Sequence, residues 1–470
     1  MKPEVPSTTM VIFGASGDLA RRKLLPSLFH LFHAGMLPES FAVIGYSRTE
    51  MSDDEFRQRA KESADQYCRC ELEDGEWERF AERLSYVPGE FEKERDFEDM
   101  AERLKEVEAR FGTRARLFYC STPPEAYPEI VRRIGEEGLQ DRARIIIEKP
   151  FGENLETAKE LNEIVRSVFD ESQVFRIDHY LGKETVQNIL VFRFANALFE
   201  PVWNRNYVDH VQLTVAEDIG IEGRGRFYER VGGLRDMVQT HLLQILTFLA
   251  MEPPPSFDPD RVRDEKAKVL RSIPPISSEQ VVRGQYAGYR DEENVPPDSE
   301  VETFVALRLE IDSWRWAGVP FFLRTGKRLA ERRAEAVIEF KEIPHMLFRQ
   351  LGMEHLEPNR LTIRIQPDEG VSLSFTVQKP GAQIELDQAS LEFRYGTAFD
   401  TPLVEAYEIL LLDAMRGDHM LFTRQDGVER AWEILQPVLV SPPRTLEYKP
   451  GSWGPEEADE LIAPRAWIVH

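Results

Sequence analysis

Over the first third of this 470-residue chain, short apolar runs alternate with stretches of helical period, and this restricts the fold more than any other feature. Met10-Val11-Ile12-Phe13, Phe41-Ala42-Val43-Ile44, Leu117-Phe118-Tyr119 and Arg144-Ile145-Ile146-Ile147 have the near-continuous apolar character of strands buried on both faces. Helical patterns fill 19–34, 97–111 and 124–135. Strands separated by helices pair in parallel, so the spacing predicts a doubly wound α/β domain ending near Ile177. Beyond that point the pattern changes to two-residue alternation, as at Val208, His210, Gln212 and Thr214, at Thr303, Val305, Leu307 and Leu309, and at Leu361, Ile363 and Ile365. Such alternation suits an antiparallel sheet with one face covered by helices. The chain is too long for one core. The expected division is residues 1–177, and residues 178–470 as a larger α+β domain with a mostly antiparallel sheet.

Gly14-Ala15-Ser16-Gly17-Asp18-Leu19 lies directly between the first strand and the first helix. In a Rossmann-like domain this turn lets the backbone approach a pyrophosphate, although Ile12 stands where the usual fingerprint has its first glycine. Read alone, the half-fingerprint is weak and fits a tight structural turn better. Arg48 follows the second strand, where NAD-specific folds usually carry an acid for the ribose hydroxyls, and so favours NADP. Thr122 and Pro123 lie beyond a third strand at the same edge, where a proline also serves simply to start a helix. Lys149 leaves the carboxyl end of a strand, the edge at which open α/β sheets bind ligands.

Asp178-His179-Tyr180-Leu181-Gly182-Lys183 places an acid, a histidine, a phenol and a lysine where a strand gives way to a helical pattern. No packing requirement demands this mixture. A lysine at a helix start, among free N–H groups and the positive dipole end, makes a site for an anion such as a phosphate ester. Two histidines compete for acid–base work. His179 adjoins the lysine and reads as a phosphate ligand, whereas His241 lies in a helical run away from it and reads as the base. Asp236 and His241 are five apart, about 140° round a regular helix, so they should not share a face. That places Asp236 at or before the helix start that follows Gly232-Gly233.

A net charge of −24 opposes binding to nucleic acid and demands local cations wherever a phosphorylated metabolite is bound. No apolar run approaches the ~20 residues of a membrane span, and the N-terminus does not read as a signal peptide. Three cysteines exclude a disulfide framework and agree with a reducing, cytoplasmic setting. The Cys68-Arg69-Cys70 spacing is wrong for a zinc ribbon, so no metal is expected. Glu184 and Arg328 follow Lys183 and Lys327 where a P-loop needs Ser or Thr.

Asp178-His-Tyr-Leu-Gly-Lys-Glu184 resembles the signature of the glucose-6-phosphate dehydrogenase family. Segments similar to that family's recur in its order at Gly14–Leu19, Glu148–Gly152, Arg235–His241, Val282–Tyr286, Arg324–Lys327 and Gly451–Pro455. The resemblance implies oxidation of glucose 6-phosphate to 6-phosphoglucono-1,5-lactone with NADP, and secondary use of NAD, as the first step of the oxidative pentose phosphate pathway. It implies His241 as proton acceptor with Asp178 as its orienting partner, and His179, Tyr180 and Lys183 at the phosphate. Glu217, Asp236 and Lys327 would meet the sugar, and Lys149 would contact both cofactor and sugar, with a cis Pro150 as pivot that sequence itself leaves open. Arg332 stands where a second substrate lysine is common, and Thr240 where asparagine is common. A large sheet used for homodimer or homotetramer assembly is implied as well. Two other readings compete: a two-domain dehydrogenase of an unphosphorylated sugar, and a cofactor-sensing regulator without chemistry.

Overall fold

The computed structural model describes residues 4–70, 72, 74–351, 355–399 and 404–468. It separates into a first unit of Met1–Gly182, Ser256–Arg263 and Val404–Glu429, and a second of Lys183–Pro255, Asp264–Leu403 and Arg430–His470. The first unit therefore continues past Ile177 and takes in two later segments. One of these carries a two-residue strand and a helix, Ala406–Arg416, whose first carbonyl would lie 2.9 Å from a Cβ at Gly182. Neither segment bears a local mark of this allegiance.

Strands β1 (Thr8–Phe13), β2 (Phe41–Ser47), β3 (Leu84–Pro88), β4 (Ala115–Cys120), β5 (Ala143–Ile147) and β6 (Val174–Ile177) form the first unit's sheet. Its order is β3-β2-β1-β4-β5-β6, all parallel. The strand Phe422–Thr423 pairs antiparallel with β6 at the edge. As the continuous apolar runs predict, β1 and β2 are buried along their whole length. Strand order reverses between β1 and β4, and ligands of open α/β sheets bind at the carboxyl ends of such a pair. At the end of the helix Asp53–Tyr67, Cys68 and Cys70 form a disulfide not foreseen from three cysteines. It links residues two positions apart and ties no separate elements together.

The second unit is built on a nine-stranded sheet. Its strands are β7 (Val208–Ala216), β8 (Val281–Tyr286), β9 (Phe304–Glu310), β10 (Pro320–Gly326), β11 (Arg333–Phe340), β12 (Arg360–Gln366), β13 (Gly370–Gln378) and β14 (Leu386–Arg394), with β16 (Thr445–Tyr448) after β15 (Phe422–Thr423) of the first sheet. The order is β14-β13-β12-β11-β7-β10-β9-β8-β16. It is mostly antiparallel, as the alternation predicts, but β7–β10 and β8–β16 pair in parallel. Leu243–Ala250 is buried on every side, and Glu184–Phe194 buries Val186, Ile189 and Leu190. No described helix is long and apolar enough to cross a membrane.

Candidate active site

In the first unit, Gly14 has φ +83°, and a Cβ there would lie 2.3 Å from the carbonyl oxygen of Ser121. Only glycine satisfies both conditions. The Gly14 N–H donates to the Tyr46 carbonyl at 2.8 Å, and the Gly17 N–H donates to the Gly14 carbonyl at 2.9 Å, closing the turn. A helix begins at Asp18 and Leu19, with wide i→i+5 winding over Ala20–Leu24 before it becomes regular. A glycine-bounded turn of small residues at the end of β1, opening into a helix N-terminus, fits the pyrophosphate of a dinucleotide. Ala15 is buried beneath it. The Ser47 hydroxyl donates to Ser16 Oγ at 2.8 Å, and that of Thr49 does so at 3.0 Å. Arg48, between them, is exposed. Asp18 instead engages Arg22 at 2.8 Å. Thr122 lies beside the turn, its Cγ2 3.1 Å from the same notional Cβ, and Pro123 leads into a short 3₁₀ turn.

Glu148 and Lys149 extend from β5, and the Lys149–Pro150 peptide is cis. Glu148 is buried and accepts hydrogen bonds from Tyr119 Oη at 2.6 Å and Tyr407 Oη at 3.3 Å. Burial pushes its carboxyl above the ordinary range, which the two phenols partly offset. Tyr407 also lies parallel to the His179 ring, centroids 6.4 Å apart. Sequence reasoning missed Tyr407, which belongs to no motif and reaches Glu148 across 259 positions. Asp178 is fully buried just after β6, its Oδ1 accepting the Tyr180 N–H at 2.9 Å. Tyr180 is buried and His179 half-buried.

In the second unit, Lys183 occupies the N-cap of the helix Glu184–Phe194, as the helix-start reading requires. Its Nζ donates to Gln366 Oε1 at the end of β12. Gln366 is a partner that no local pattern discloses. Glu217 follows β7 and Lys327 follows β10; because these adjacent central strands run parallel with Gly326 opposite Ala216, both residues follow the carboxyl ends of the pair. Lys327 Nζ donates to Glu217 Oε2, and the Glu217 N–H donates to the Gly326 carbonyl at 2.9 Å. The ammonium also lies 5.8 Å from the Tyr228 ring centroid. Tyr228 is buried, and its phenol is pushed well above the ordinary range by burial, then by the carboxylates of Asp236, Glu302 and Glu217. Three expected sugar residues thus gather around a tyrosine that sequence reasoning did not select.

Asp236 and His241 do not lie on the regular helix that a separation of about 140° assumes. A kink at Gly232 (φ 60°) ends one helix, and Leu234–Leu242 then winds with π-type hydrogen bonds. Bonds of i→i+5 bring residues five apart nearly into line along the axis, so the separation does not put them on different faces. Asp236 falls within the first turn of this segment, past its start and not at or before it as the spacing predicts. His241 is fully buried. Thr240 turns its hydroxyl back onto the Arg235 carbonyl at 3.3 Å and Gln239 Oε1 at 3.0 Å. Arg332 is exposed and takes no part in the Glu217–Lys327 contact.

A dinucleotide turn on one unit, and paired lysine and carboxylate groups with a buried histidine on the other, define a nicotinamide-dependent dehydrogenase of two-domain build. Comparison with known proteins narrows the class. The family model described as glucose-6-phosphate dehydrogenase, NAD binding domain, matches residues 11–188, and that of the C-terminal domain matches residues 190–468. The chain belongs to the glucose-6-phosphate dehydrogenase family. It is 46% identical to the glucose-6-phosphate 1-dehydrogenase of Aggregatibacter actinomycetemcomitans, over 97% of this chain and 96% of that one. It is 41% identical to Arabidopsis thaliana glucose-6-phosphate 1-dehydrogenase 6, cytoplasmic, over 99% and 93%. A solved glucose-6-phosphate dehydrogenase in complex with glucose 6-phosphate superimposes with a TM-score of 0.91 at 35% identity, covering 100% of both chains.

Proposed function

We propose that this chain oxidises D-glucose 6-phosphate to 6-phosphoglucono-1,5-lactone, with NADP as its cofactor. The observation that carries the choice of a phosphorylated sugar is Lys183 at the N-cap of the helix Glu184–Phe194, which puts an ammonium at the positive end of the helix dipole. NADP supplies the acceptor for the hydride leaving C1. The Gly14–Leu19 turn holds the pyrophosphate through its backbone, and Arg48 grips the 2′-phosphate. His179, Tyr180 and Lys183 bind the sugar phosphate. Glu217, Asp236, Lys327 and Arg332 bind the sugar hydroxyls, and Lys149 serves both ligands. His241 takes the proton from the C1 hydroxyl, and Asp178 stabilises the imidazolium that results. An unphosphorylated sugar offers Lys183 no phosphate to bind, and a regulator without chemistry has no need of His241 and Asp178.

The exposed β14, with Leu391 64% accessible, supports assembly of a homodimer or homotetramer through this end of the second sheet. A cytoplasmic location follows the name of the Arabidopsis relative. The test is turnover with NADP followed by NADPH absorbance, using glucose 6-phosphate and glucose in parallel. Strong preference for the phosphorylated sugar is expected, and equal use of both overturns the proposal.

A further inference from the structure

The loop that carries Lys327 is held in place by two other parts of the second unit. The Lys327 N–H donates to the Thr303 carbonyl at 2.9 Å, and the Lys327 carbonyl accepts the Tyr448 hydroxyl at 2.6 Å. Arg328, the next residue, has φ +47°, a left-handed conformation that a non-glycine residue keeps only when its surroundings impose it. Those surroundings are explicit. The Arg328 N–H donates to the Ile219 carbonyl at 2.9 Å, the Arg328 carbonyl accepts the Gly451 N–H at 2.8 Å, and the Leu329 N–H donates to the Glu217 carbonyl at 2.9 Å.

Tyr448 is buried at the end of β16, its ring edged by Phe304 and Tyr286 at 5.7 and 6.4 Å. The chain beyond it is anchored as well. Arg324, buried on β10 with its guanidinium pushed down to about 10 by desolvation, lies 4.7 Å from the ring of Trp453 and 4.4 Å from that of Trp467. Arg465 donates to Asp209 at 2.6 Å, and Gln212 donates to the Ala466 carbonyl at 2.9 Å. The C-terminal segment is therefore fixed to the same sheet whose central strands β7 and β10 lead into Glu217 and Lys327.

We infer that Tyr448 is a positioning residue for substrate binding: its hydroxyl fixes the Lys327 carbonyl and thereby the direction in which the lysine leaves the backbone. This rests on the reading of Lys327 as a sugar ligand. Tyr448 need not touch the substrate, and it lies 121 positions from the lysine it orients.

Tyr448→Phe tests this directly, because the ring and its packing remain and only the hydroxyl is lost. The expected result is a two- to tenfold rise, roughly the span of one neutral hydrogen bond, in KM for glucose 6-phosphate, with kcat changed less and KM for NADP unchanged. Tyr289→Phe removes a buried hydroxyl of the same aromatic cluster that bonds Glu229 at 2.6 Å, and it should move neither KM. Lys327→Ala separates the two claims. If it weakens glucose 6-phosphate binding while Tyr448→Phe does not, Tyr448 has no positioning role; if neither variant alters binding, the sugar role of Lys327 fails. A Tyr448→Phe enzyme with lowered Tm and equal losses for both ligands shows a purely structural hydroxyl and also overturns the inference.

Discussion

The hydroxyls of Ser16 and Ser47, 31 positions apart in sequence, meet at 2.8 Å and tie the first strand–helix turn to the end of the second strand. Thr49 adds a second bond to Ser16 at 3.0 Å, so Arg48 projects from a segment pinned on both sides. Neighbouring cations are already engaged: Arg22 by Asp18 and Lys23 by Glu405, each at 2.8 Å.

Arg48 is therefore expected to set the preference for NADP. Arg48→Ala should lower kcat/KM with NADP about ten- to a hundredfold, the value of one charged contact, and leave NAD almost unaffected. The measurement is kcat/KM for both cofactors. An unchanged ratio removes Arg48 from the assignment and turns attention to Arg22 and Lys23.

Lys183 already donates to an amide oxygen of Gln366 and carries its charge at a helix N-cap. Lys183→Ala should raise KM for glucose 6-phosphate roughly tenfold or more, since a charge-assisted contact is worth about 1.5–3 kcal/mol. Turnover of free glucose should hardly change. An equal loss with both sugars contradicts a phosphate role.

His241→Asn should leave glucose 6-phosphate binding nearly intact, as measured by calorimetry, while kcat falls by the ~10²–10⁴ typical of a lost general base. Near-normal kcat would transfer the role to another group. The π-type winding of Leu234–Leu242 gives a structural control, since circular dichroism should show the helix retained in the variant.

Glu148 yields a prediction in pH. Burial raises its carboxyl above the ordinary 4.5, so the folded state holds this proton more tightly than the unfolded chain does. Below 4.5 both states are protonated and the group adds no pH dependence. As the pH rises from there through the folded value, ionisation favours the unfolded chain and stability declines. Glu148→Gln keeps an acceptor for Tyr119 and Tyr407 without the charge, so its Tm should gain on wild type as the pH goes from about 4.5 towards neutrality. A constant difference between the two proteins across that range would refute a buried, titrating Glu148.

Local patterns carried much of this architecture. The β-branched runs at Met10–Phe13 and Phe41–Ile44 announced buried parallel strands because such strands need apolar side chains on both faces. Gly14 and Gly17 announced a turn, and the structure supplies the reason in the collision that a Cβ at Gly14 would make with Ser121. The placement of Lys183 at a helix start was legible too, since a helix N-terminus is a property of neighbouring residues. The regular-helix assumption failed at Leu234–Leu242, where periodicity does not distinguish i→i+4 from i→i+5 bonding once seven of the nine side chains are buried.

By itself, then, the sequence determined those features that adjacent residues decide: strand and helix alternation, the glycine turn, the lysine at a helix N-cap, and the family motifs. Only the tertiary structure decided which distant residues meet. Glu217 and Lys327 meet beyond the carboxyl ends of two central strands because β7 and β10 pair in parallel, a register set by the whole sheet and by neither strand alone. Tyr407 reaches Glu148, Gln366 reaches Lys183, and Tyr448 reaches the Lys327 carbonyl, across 259, 183 and 121 positions. Period and propensity act over a few residues, whereas these contacts arise when the sheets bury their faces and each buried polar group is driven to find a partner.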